Sequence, residues 1–224
     1  MHLIKRMASK LPGDWQLAFR RRMYARQIRR NAFRTTEPEY DRLGEWIREG
    51  DWVLDIGANI GHYTKRFSEL VGASGRVLAF EPVPDTFTLL TANARLFAHA
   101  NVSLFNAAVS DRLDLCGMTV PNFDTGLRNY YEARLADAAE SESAFSVLTI
   151  PIDRLDIKAC VALVKIDAED HEASVLAGMS RLLERHHPVL IVETGDEQVV
   201  ERLARMGYVS ERLPGSPNIL FLPA

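Results

Sequence analysis

A glycine loop after a short apolar run constrains the fold of this chain more than any other feature. Residues 52–56 are apolar apart from Asp55, and the loop Gly57-Ala-Asn-Ile-Gly61 leads into a helical pattern that reaches about Leu70. A strand, a glycine loop and a helix in this order are typical of the first unit of a parallel α/β sheet. Ligands of such sheets bind beyond the carboxyl ends of the strands, where this loop lies.

The same alternation continues along the chain. Short apolar runs predict further strands, and the segments between them predict helices. The last two strands are joined by the turn-rich segment Pro214 to Asn218. We therefore predict an α/β fold with a mostly parallel, Rossmann-like sheet of seven strands and a C-terminal antiparallel hairpin. The predicted strands are 52–56, 76–80, 102–107, 161–166, 189–192, 208–213 and 219–222, and the predicted helices are 37–48, 61–70, 82–98, 172–185 and 196–206.

Residues 108–145 interrupt this rhythm and are predicted to form an irregular insertion or a cap over the ligand cleft. Residues 113–120 alternate as a strand does, and the remainder is polar. Aromatic side chains mixed with amides and charges suit the binding of a sugar, and an ordinary solvated insertion is the alternative. The candidate substrate residues in this segment are Asn122, Asp124, Arg128 and Tyr130.

Charge divides the chain into a basic segment, residues 1–34, and one predicted domain, residues 35–224. The segment has ten Lys and Arg side chains and one acid, a net charge of +9, whereas the remaining 190 residues have a net charge of −12. Most of the segment is predicted to be a helix, with Trp15, Phe19 and Met23 on one line. It would contact anionic lipid, a polyanionic substrate or RNA, or else pack on the domain or on a second copy of the chain, so a monomer and a homodimer are both open.

The composition favours a cytoplasmic protein, with peripheral membrane contact through the basic segment as a further option. No stretch approaches the roughly 18 apolar residues of a membrane span, and charges interrupt the beginning of the chain where a signal peptide would be apolar. Cys116 and Cys160 are far apart, without the spacing of a zinc site.

Two acids at the predicted strand ends limit the chemical class of ligand that the cleft would bind. Asp55 precedes the loop, and Glu81 closes the second strand, where a carboxylate can accept from both ribose hydroxyls of an adenosine. A nicotinamide fingerprint needs GxGxxG, but Asn59 takes the place of its second glycine. Acids on both sides of the loop suit a cationic nucleoside such as S-adenosylmethionine. An ordinary turn with acids at helix ends is the alternative.

These residues, with further motifs, resemble the FkbM family of methyltransferases over about residues 37–193. The motifs are residues 50–61, Phe80-Glu-Pro82, 106–111, 152–155, 165–172, 175–178 and 188–193. One departure is Asp170, where the family usually has glycine. The resemblance implies a class I methyltransferase fold and O-methylation of sugars or natural products with S-adenosylmethionine as donor. The residues assigned to the donor site are Asp55, Gly57, Ala58, Asn59, Gly61, Tyr63, Glu81, Pro82, Asn106, Ala107 and Ala108.

Candidate catalytic groups cluster at the end of the fourth predicted parallel strand. Asp167 ends this strand, and Glu169 and His171 follow it. An imidazole beside carboxylates is a plausible general base for activating a hydroxyl. Alternatively, Asp167 and Glu193, a candidate substrate residue at the end of the next strand, would share Mg²⁺. Acids here would also favour a helix N-terminus without any catalytic role.

The sequence therefore predicts an S-adenosylmethionine-dependent O-methyltransferase that acts on a hydroxyl of a sugar, a glycan or glycolipid, or a natural product. A nucleic-acid methyltransferase would explain the basic segment, but the positive charge is confined to one end of the chain. A nicotinamide-dependent reductase and a non-catalytic nucleotide-binding module are alternatives on the same fold.

Overall fold

The central sheet has the predicted topology. The computed structural model describes residues 13–119, 134–136 and 145–224. The strands β1 (Trp52–Ile56), β2 (Arg76–Phe80), β3 (Val102–Phe105), β8 (Val161–Ile166) and β9 (Val189–Glu193) run parallel, and β10 (Tyr208–Arg212) and β11 (Asn218–Pro223) are antiparallel. The seven strands lie in the order β10-β11-β9-β8-β1-β2-β3. The ends of β1, β2 and β8 therefore meet at the middle of one sheet edge.

Helices cover both faces of this sheet. On one face, α2 (Pro38–Arg42) and α3 (His62–Val71) pack on Val53, Leu163 and Ile191. On the other face lie α5 (Glu172–Ala177), α6 (Ser180–His186) and α7 (Glu197–Arg205), which bury apolar side chains against Leu54 and Val164. Helix α4 (Pro84–Ala94) follows β2 and carries two buried leucines. The fold is thus a three-layer α/β/α arrangement, as predicted.

Two segments predicted as single helices are each divided, and the helix predicted over 82–98 is shorter, Pro84–Ala94. The segment predicted as one helix over 37–48 is α2 followed by a short 3₁₀ turn, Leu43–Glu45. The segment predicted over 172–185 is divided into α5 and α6 around Gly178. A Cβ at Gly178 would lie 1.9 Å from the carbonyl oxygen of Ser110, so backbone contact with the neighbouring segment fixes the chain at this break.

The described part of residues 108–145 is more regular than predicted. Strands β4 (Ala108–Val109), β5 (Asp114–Thr119), β6 (Arg134–Ala136) and β7 (Phe145–Ile150) form a second sheet in the order β4-β7-β5-β6. A small apolar cluster of Val83, Ala108, Met118 and Val147 anchors it beside the main sheet. This sheet forms one wall of the candidate site, through Ala107 to Val109 and Met118.

The basic segment contains the predicted helix. Helix α1 (Gly13–Arg29) packs on the domain through Ile28 and the partly buried Leu17 and Tyr24. Phe33 is buried in the same cluster, which extends to Ile60 of the glycine loop. The segment therefore packs on the domain, which was one of the alternatives predicted from the sequence. Among the described helices, none is long and apolar enough to cross a membrane.

Candidate active site

A cleft of about 330 Å³ lies at the carboxyl ends of β1, β2 and β8. Its position follows from the parallel strands, which end together at the middle of the sheet. Its volume is within the usual range of small-molecule sites. Of the residues assigned to the donor site from the sequence, those that line the cleft are Asp55, Gly57, Ala58, Asn59, Tyr63, Glu81, Pro82, Ala107 and Ala108.

The glycine loop begins with a close backbone contact. Gly57 has a φ of 76°, and a Cβ on this residue would lie 1.8 Å from the carbonyl oxygen of Asp167. The amides of Gly57 and Ala58 both donate to the carbonyl of Phe80, at 3.0 and 2.9 Å. Glycine at this position therefore allows β1 and β8 to end side by side. The two amide hydrogen bonds hold the loop against the end of β2.

Glu81 lies under the loop and is buried. Its two carboxylate oxygens accept from the backbone amides of Asn59 and Val83, at 2.8 and 2.9 Å. Burial raises the pKa of Glu81 to about 7, although these two amides oppose the shift. Because a carboxylate has about four lone-pair sites, each oxygen can still accept one hydrogen bond from a ligand.

Asp55 is 1% exposed at the end of β1. One carboxylate oxygen accepts from the hydroxyl of Thr64 at 2.5 Å, and the other, Oδ1, is buried without a hydrogen-bond partner. Burial raises the pKa of Asp55 to about 6, with the charge of Lys165 opposing the shift. A buried oxygen without a partner is costly in a native fold, and a cationic ligand in the cleft would remove that cost.

Lys165 is a member of the site that the sequence did not lead us to expect. It is 4% exposed in β8, and its Nζ donates to Asp167 Oδ2 at 3.0 Å and lies 5.0 Å from the ring centre of Tyr63. Burial disfavours the ammonium form, but the carboxylates of Asp167 and Asp55 outweigh it and raise the pKa of Lys165. The lysine thus stays charged and holds Asp167 in place.

The predicted catalytic residues Asp167, Glu169 and His171 all line the cleft. Burial lowers the pKa of His171, which makes the imidazole neutral near pH 7. Its Nε2 lies 2.9 Å from the hydroxyl oxygen of Ser110, and this hydroxyl donates to Asp111 at 3.2 Å. The imidazole is therefore positioned by a serine on the loop after β4, whereas Asp167 pairs with lysine.

Asp170, which stands where the family usually has glycine, lies in an unusual backbone turn. Glu169 and Asp170 have φ values of 50° and 70°, so two successive residues adopt the left-handed conformation. Glycine adopts this conformation without strain, and Asp tolerates it better than most other residues. Asp170 therefore adopts a conformation that glycine would adopt without strain, and His171, the next residue, lines the cleft.

Glu193 ends β9 and also lines the cleft. Burial raises its pKa, and the charge of Asp167 adds to the shift. Among the residues that the structure describes, no group of three or more His, Cys, Asp and Glu side chains is arranged to hold a metal ion. The Mg²⁺ site at Asp167 and Glu193 stays a prediction. Lys165 already donates to Oδ2 of Asp167, one of the oxygens that would bind the ion.

The segment before α2 contributes a carboxylate that the sequence analysis missed. Glu37 lines the cleft and accepts from the hydroxyl of Tyr63 at 2.5 Å. The buried Glu39 accepts from the same hydroxyl at 3.1 Å, and from Ser216 and Asn218 of the C-terminal hairpin. Tertiary packing alone brings these residues together, so no local pattern identifies them. Lys165, by contrast, lies in β8 two positions before Asp167, which directly follows the strand, so the alternation of the strand places both on the same face.

The other predicted site residues lie elsewhere. Gly61 does not line the cleft; it is the N-cap residue of α3, with a φ of 97°. Asn106 is also outside the lining and donates to the backbone carbonyls of Glu81 and Pro82, at 2.8 and 3.0 Å. Both residues therefore shape the loops around the cleft. The predicted substrate residues Asn122, Asp124, Arg128 and Tyr130 fall outside the described residues.

Two named methyltransferases are similar in sequence to most of this domain. The chain is 29% identical over 152 residues to the hexuronic acid methyltransferase AglP of Haloferax volcanii, covering 66% of the chain and 58% of that protein. It is 33% identical over 172 residues to the 31-O-demethyl-FK506 methyltransferase FkbM of Streptomyces tacrolimicus, covering 64% of the chain and 65% of that protein. The chain thus spans about three fifths of the length of these curated relatives.

A solved structure and a family model agree with these relatives. The crystal structure of a methyltransferase FkbM from Methylobacillus flagellatus KT superposes with a TM-score of 0.55 at 17% identity, covering 82% of this chain and 50% of that one. This likeness concerns the fold. The family model for the methyltransferase FkbM domain matches residues 55–210, from the acid of the glycine loop to the C-terminal hairpin. The chain belongs to the FkbM family of S-adenosylmethionine-dependent methyltransferases.

Proposed function

We propose that this protein is an O-methyltransferase that transfers a methyl group from S-adenosylmethionine to a hydroxyl of a sugar, a glycan or glycolipid, or a natural product. The observation that carries the proposal is the pair of buried acids, Asp55 and Glu81, on either side of the glycine loop. The relatives are named as methyltransferases of a hexuronic acid and of 31-O-demethyl-FK506. Both names favour an oxygen acceptor on a small molecule or a sugar.

The described residues fit this donor. Glu81 keeps acceptor capacity for the ribose hydroxyls because each of its oxygens has only one backbone partner. Asp55 Oδ1 is a buried acceptor that would receive a hydrogen bond from the donor's ammonium group or from a bridging water. The close approach at Gly57 holds the loop backbone against Asp167 beside the cleft that both residues line. When bound, S-adenosylmethionine supplies a methyl group on a sulfonium, which is electrophilic without further activation.

The residues of the cleft then position and activate the acceptor. In-line displacement depends mainly on orientation, and Asp167 and Glu193 offer carboxylates to hydroxyl groups at the ends of neighbouring strands. His171 is proposed as the general base. Because Ser110 donates to Asp111, its oxygen is free to accept from Nε2–H of the imidazole. This arrangement leaves Nδ1 as the atom that takes the proton from the acceptor hydroxyl.

Lys165 has a positioning role in this proposal. Its ammonium neutralises part of the negative charge of Asp55 and Asp167, so that the cleft does not hold several unpaired carboxylates. Its stacking over Tyr63, which in turn donates to Glu37, connects β8 to the segment before α2. The end of β8 and the segment before α2, which both line the cleft, are thereby held together.

The test is the chemical form of the transferred methyl group. We expect the protein, supplied with methyl-labelled S-adenosylmethionine and a panel of neutral sugars, uronic acids and glycolipids, to place the label in an ether. A methyl ether survives mild base, whereas a methyl ester is hydrolysed by it. Label that is released by base, or that is found on nitrogen, would contradict O-methylation of a hydroxyl. A Gly57→Ala variant serves as the control without a donor site.

A further inference from the structure

The outward face of α1 carries exposed apolar side chains interleaved with arginines. Trp15, Phe19 and Met23 follow one another at intervals of four residues and are 68%, 48% and 38% exposed. At about 100° per residue, the three form one line along the helix. Arg22 and Arg26 fall beside the same line, and both are exposed. The face is therefore amphipathic along its length, with large apolar groups flanked by cations.

The opposite face of the same helix is already used. Leu17, Tyr24 and Ile28 pack towards the domain, in a cluster with Phe33 and Ile60. The helix is thus held against the domain by one face. The apolar line lies on the other face, where it makes no contribution to the core. Exposed apolar side chains grouped in this way mark interaction surfaces in soluble proteins.

Charge identifies the partner. Residues 1–34 have a net charge of +9, against −12 for the rest of the chain. A groove between α1 and α4 is lined by Arg21, Arg22, Arg29 and Arg95, so the surface beside the helix is also positive. A second copy in a symmetric contact would bring this positive surface against itself. RNA would match the charge and stack on aromatic rings, but Met23 has no ring with which to stack. An anionic lipid surface matches both the charge and the apolar line.

We propose that α1 docks this protein on anionic lipid membranes. Trp15, Phe19 and Met23 enter the boundary between headgroups and acyl chains, and Arg22 and Arg26 contact lipid phosphates while their alkyl stems lie along the apolar line. The docking is peripheral, because the other face of the helix stays on the domain.

The position of α1 connects this surface to the cleft. The chain runs from the end of α1 to Thr35 and Glu37, which line the cleft. Phe33 contacts the ring of His62, another lining residue, at a centroid distance of 4.3 Å. Docking would therefore place the cleft beside the membrane, within reach of an acceptor carried by a lipid. This last consequence rests on the proposed methyl transfer, whereas the docking does not.

The experiment is cosedimentation of the 224-residue chain with vesicles of phosphatidylcholine alone or mixed with phosphatidylglycerol. We expect sedimentation with the anionic vesicles only, weakened as salt approaches 1 M, where the Debye length is about 3 Å. The Trp15→Ala/Phe19→Ala/Met23→Ala variant should lower the partition coefficient at least about tenfold. The Arg22→Gln/Arg26→Gln variant should lower it about 25-fold, since each arginine near an anionic surface is worth about fivefold.

The matched control changes apolar residues that are equally exposed elsewhere. Leu113, just before β5, and Leu115, within it, are 64% and 67% exposed, so Leu113→Ala/Leu115→Ala should bind vesicles as the wild type does. Unchanged melting temperature and donor affinity would show that the α1 variants fold. No binding to anionic vesicles, or an equal loss in the control, would overturn the proposal. So would binding to RNA but not to vesicles, or a dimer that the α1 variants dissociate.

Docking and methyl transfer fail separately in this design. Vesicle binding without any methylated product would leave the docking intact and count against the proposed function. Methylation of soluble sugars without vesicle binding would support the proposed function and overturn the docking.

Discussion

Replacement of His171 by alanine is expected to lower kcat about 10²- to 10⁴-fold, the usual contribution of general base catalysis. The imidazole lines the cleft, and burial lowers its pKa, so that it is neutral and able to accept a proton near pH 7. Ser110 contacts the imidazole, and Asp111 in turn accepts from the Ser110 hydroxyl. Donor affinity should change little, because the residues proposed to hold the donor lie around the glycine loop.

The pH profile gives this prediction a second measurement. Because the pKa of His171 is lowered from its usual value of 6.5, the neutral form predominates above that pH. In the wild type, kcat should therefore be flat above about pH 6.5 and fall as the pH drops through the lowered pKa. The His171→Ala variant should lose this acid limb. His99→Ala, which changes a histidine outside the cleft lining, should behave as the wild type in single-turnover assays. Near-normal turnover of His171→Ala would remove the histidine from the mechanism and leave Asp167 as the candidate base.

Replacement of Gly57 by alanine is expected to abolish donor binding and to lower the free energy of unfolding by about 2–5 kcal/mol. A Cβ would lie 1.8 Å from the carbonyl oxygen of Asp167 and 2.9 Å from its carbonyl carbon, and both are backbone atoms that cannot rotate away. The φ of 76° adds left-handed strain of about 1–2 kcal/mol. Overpacking adds about 1–3 kcal/mol. The loop and the end of β8 would have to separate, which displaces both Asp167 and the loop amides.

Gly195→Ala is the matched control for this change. It lies beyond the end of β9, and a Cβ there would meet no atom within 4 Å. We expect its free energy of unfolding to stay within about 0.5 kcal/mol of the wild type, with unchanged donor affinity. Urea unfolding and titration calorimetry of the two variants measure both quantities. Wild-type donor affinity in Gly57→Ala would contradict the role assigned to the loop.

The sequence defined the centre of the sheet better than its surroundings. Strands β1, β2 and β8 begin and end at the predicted residues, because each is an apolar run with polar residues or glycine on both sides. Helix limits depend on contacts that a local pattern does not contain. The break at Gly178 is set by the carbonyl of Ser110, which is 68 residues earlier in the chain.

The candidate site shows the same division. Asp55, Glu81 and Asp167 were predicted because each ends a strand, and parallel strands end at a common edge. Lys165 could have been predicted from the alternation of β8, which places it on the face of Asp167. Glu37 could not, because only the packing of the segment before α2 against Tyr63 brings it to the cleft. Asp170 stands out in the sequence as a departure from the family's usual glycine, and the structure gives Glu169 and Asp170 a left-handed backbone conformation.

Titration calorimetry with S-adenosylmethionine tests the central claim most directly. The measurement belongs at pH 8, above the raised pKa values of Asp55 and Glu81, which are about 6 and about 7. We predict one binding site per chain for S-adenosylmethionine, no heat of binding with NADH, and an affinity about 10- to 150-fold weaker in Glu81→Ala. That loss corresponds to about 1.5–3 kcal/mol for hydrogen bonds to a charged group. Binding of NADH in place of S-adenosylmethionine, or an unchanged affinity in Glu81→Ala, would contradict the account.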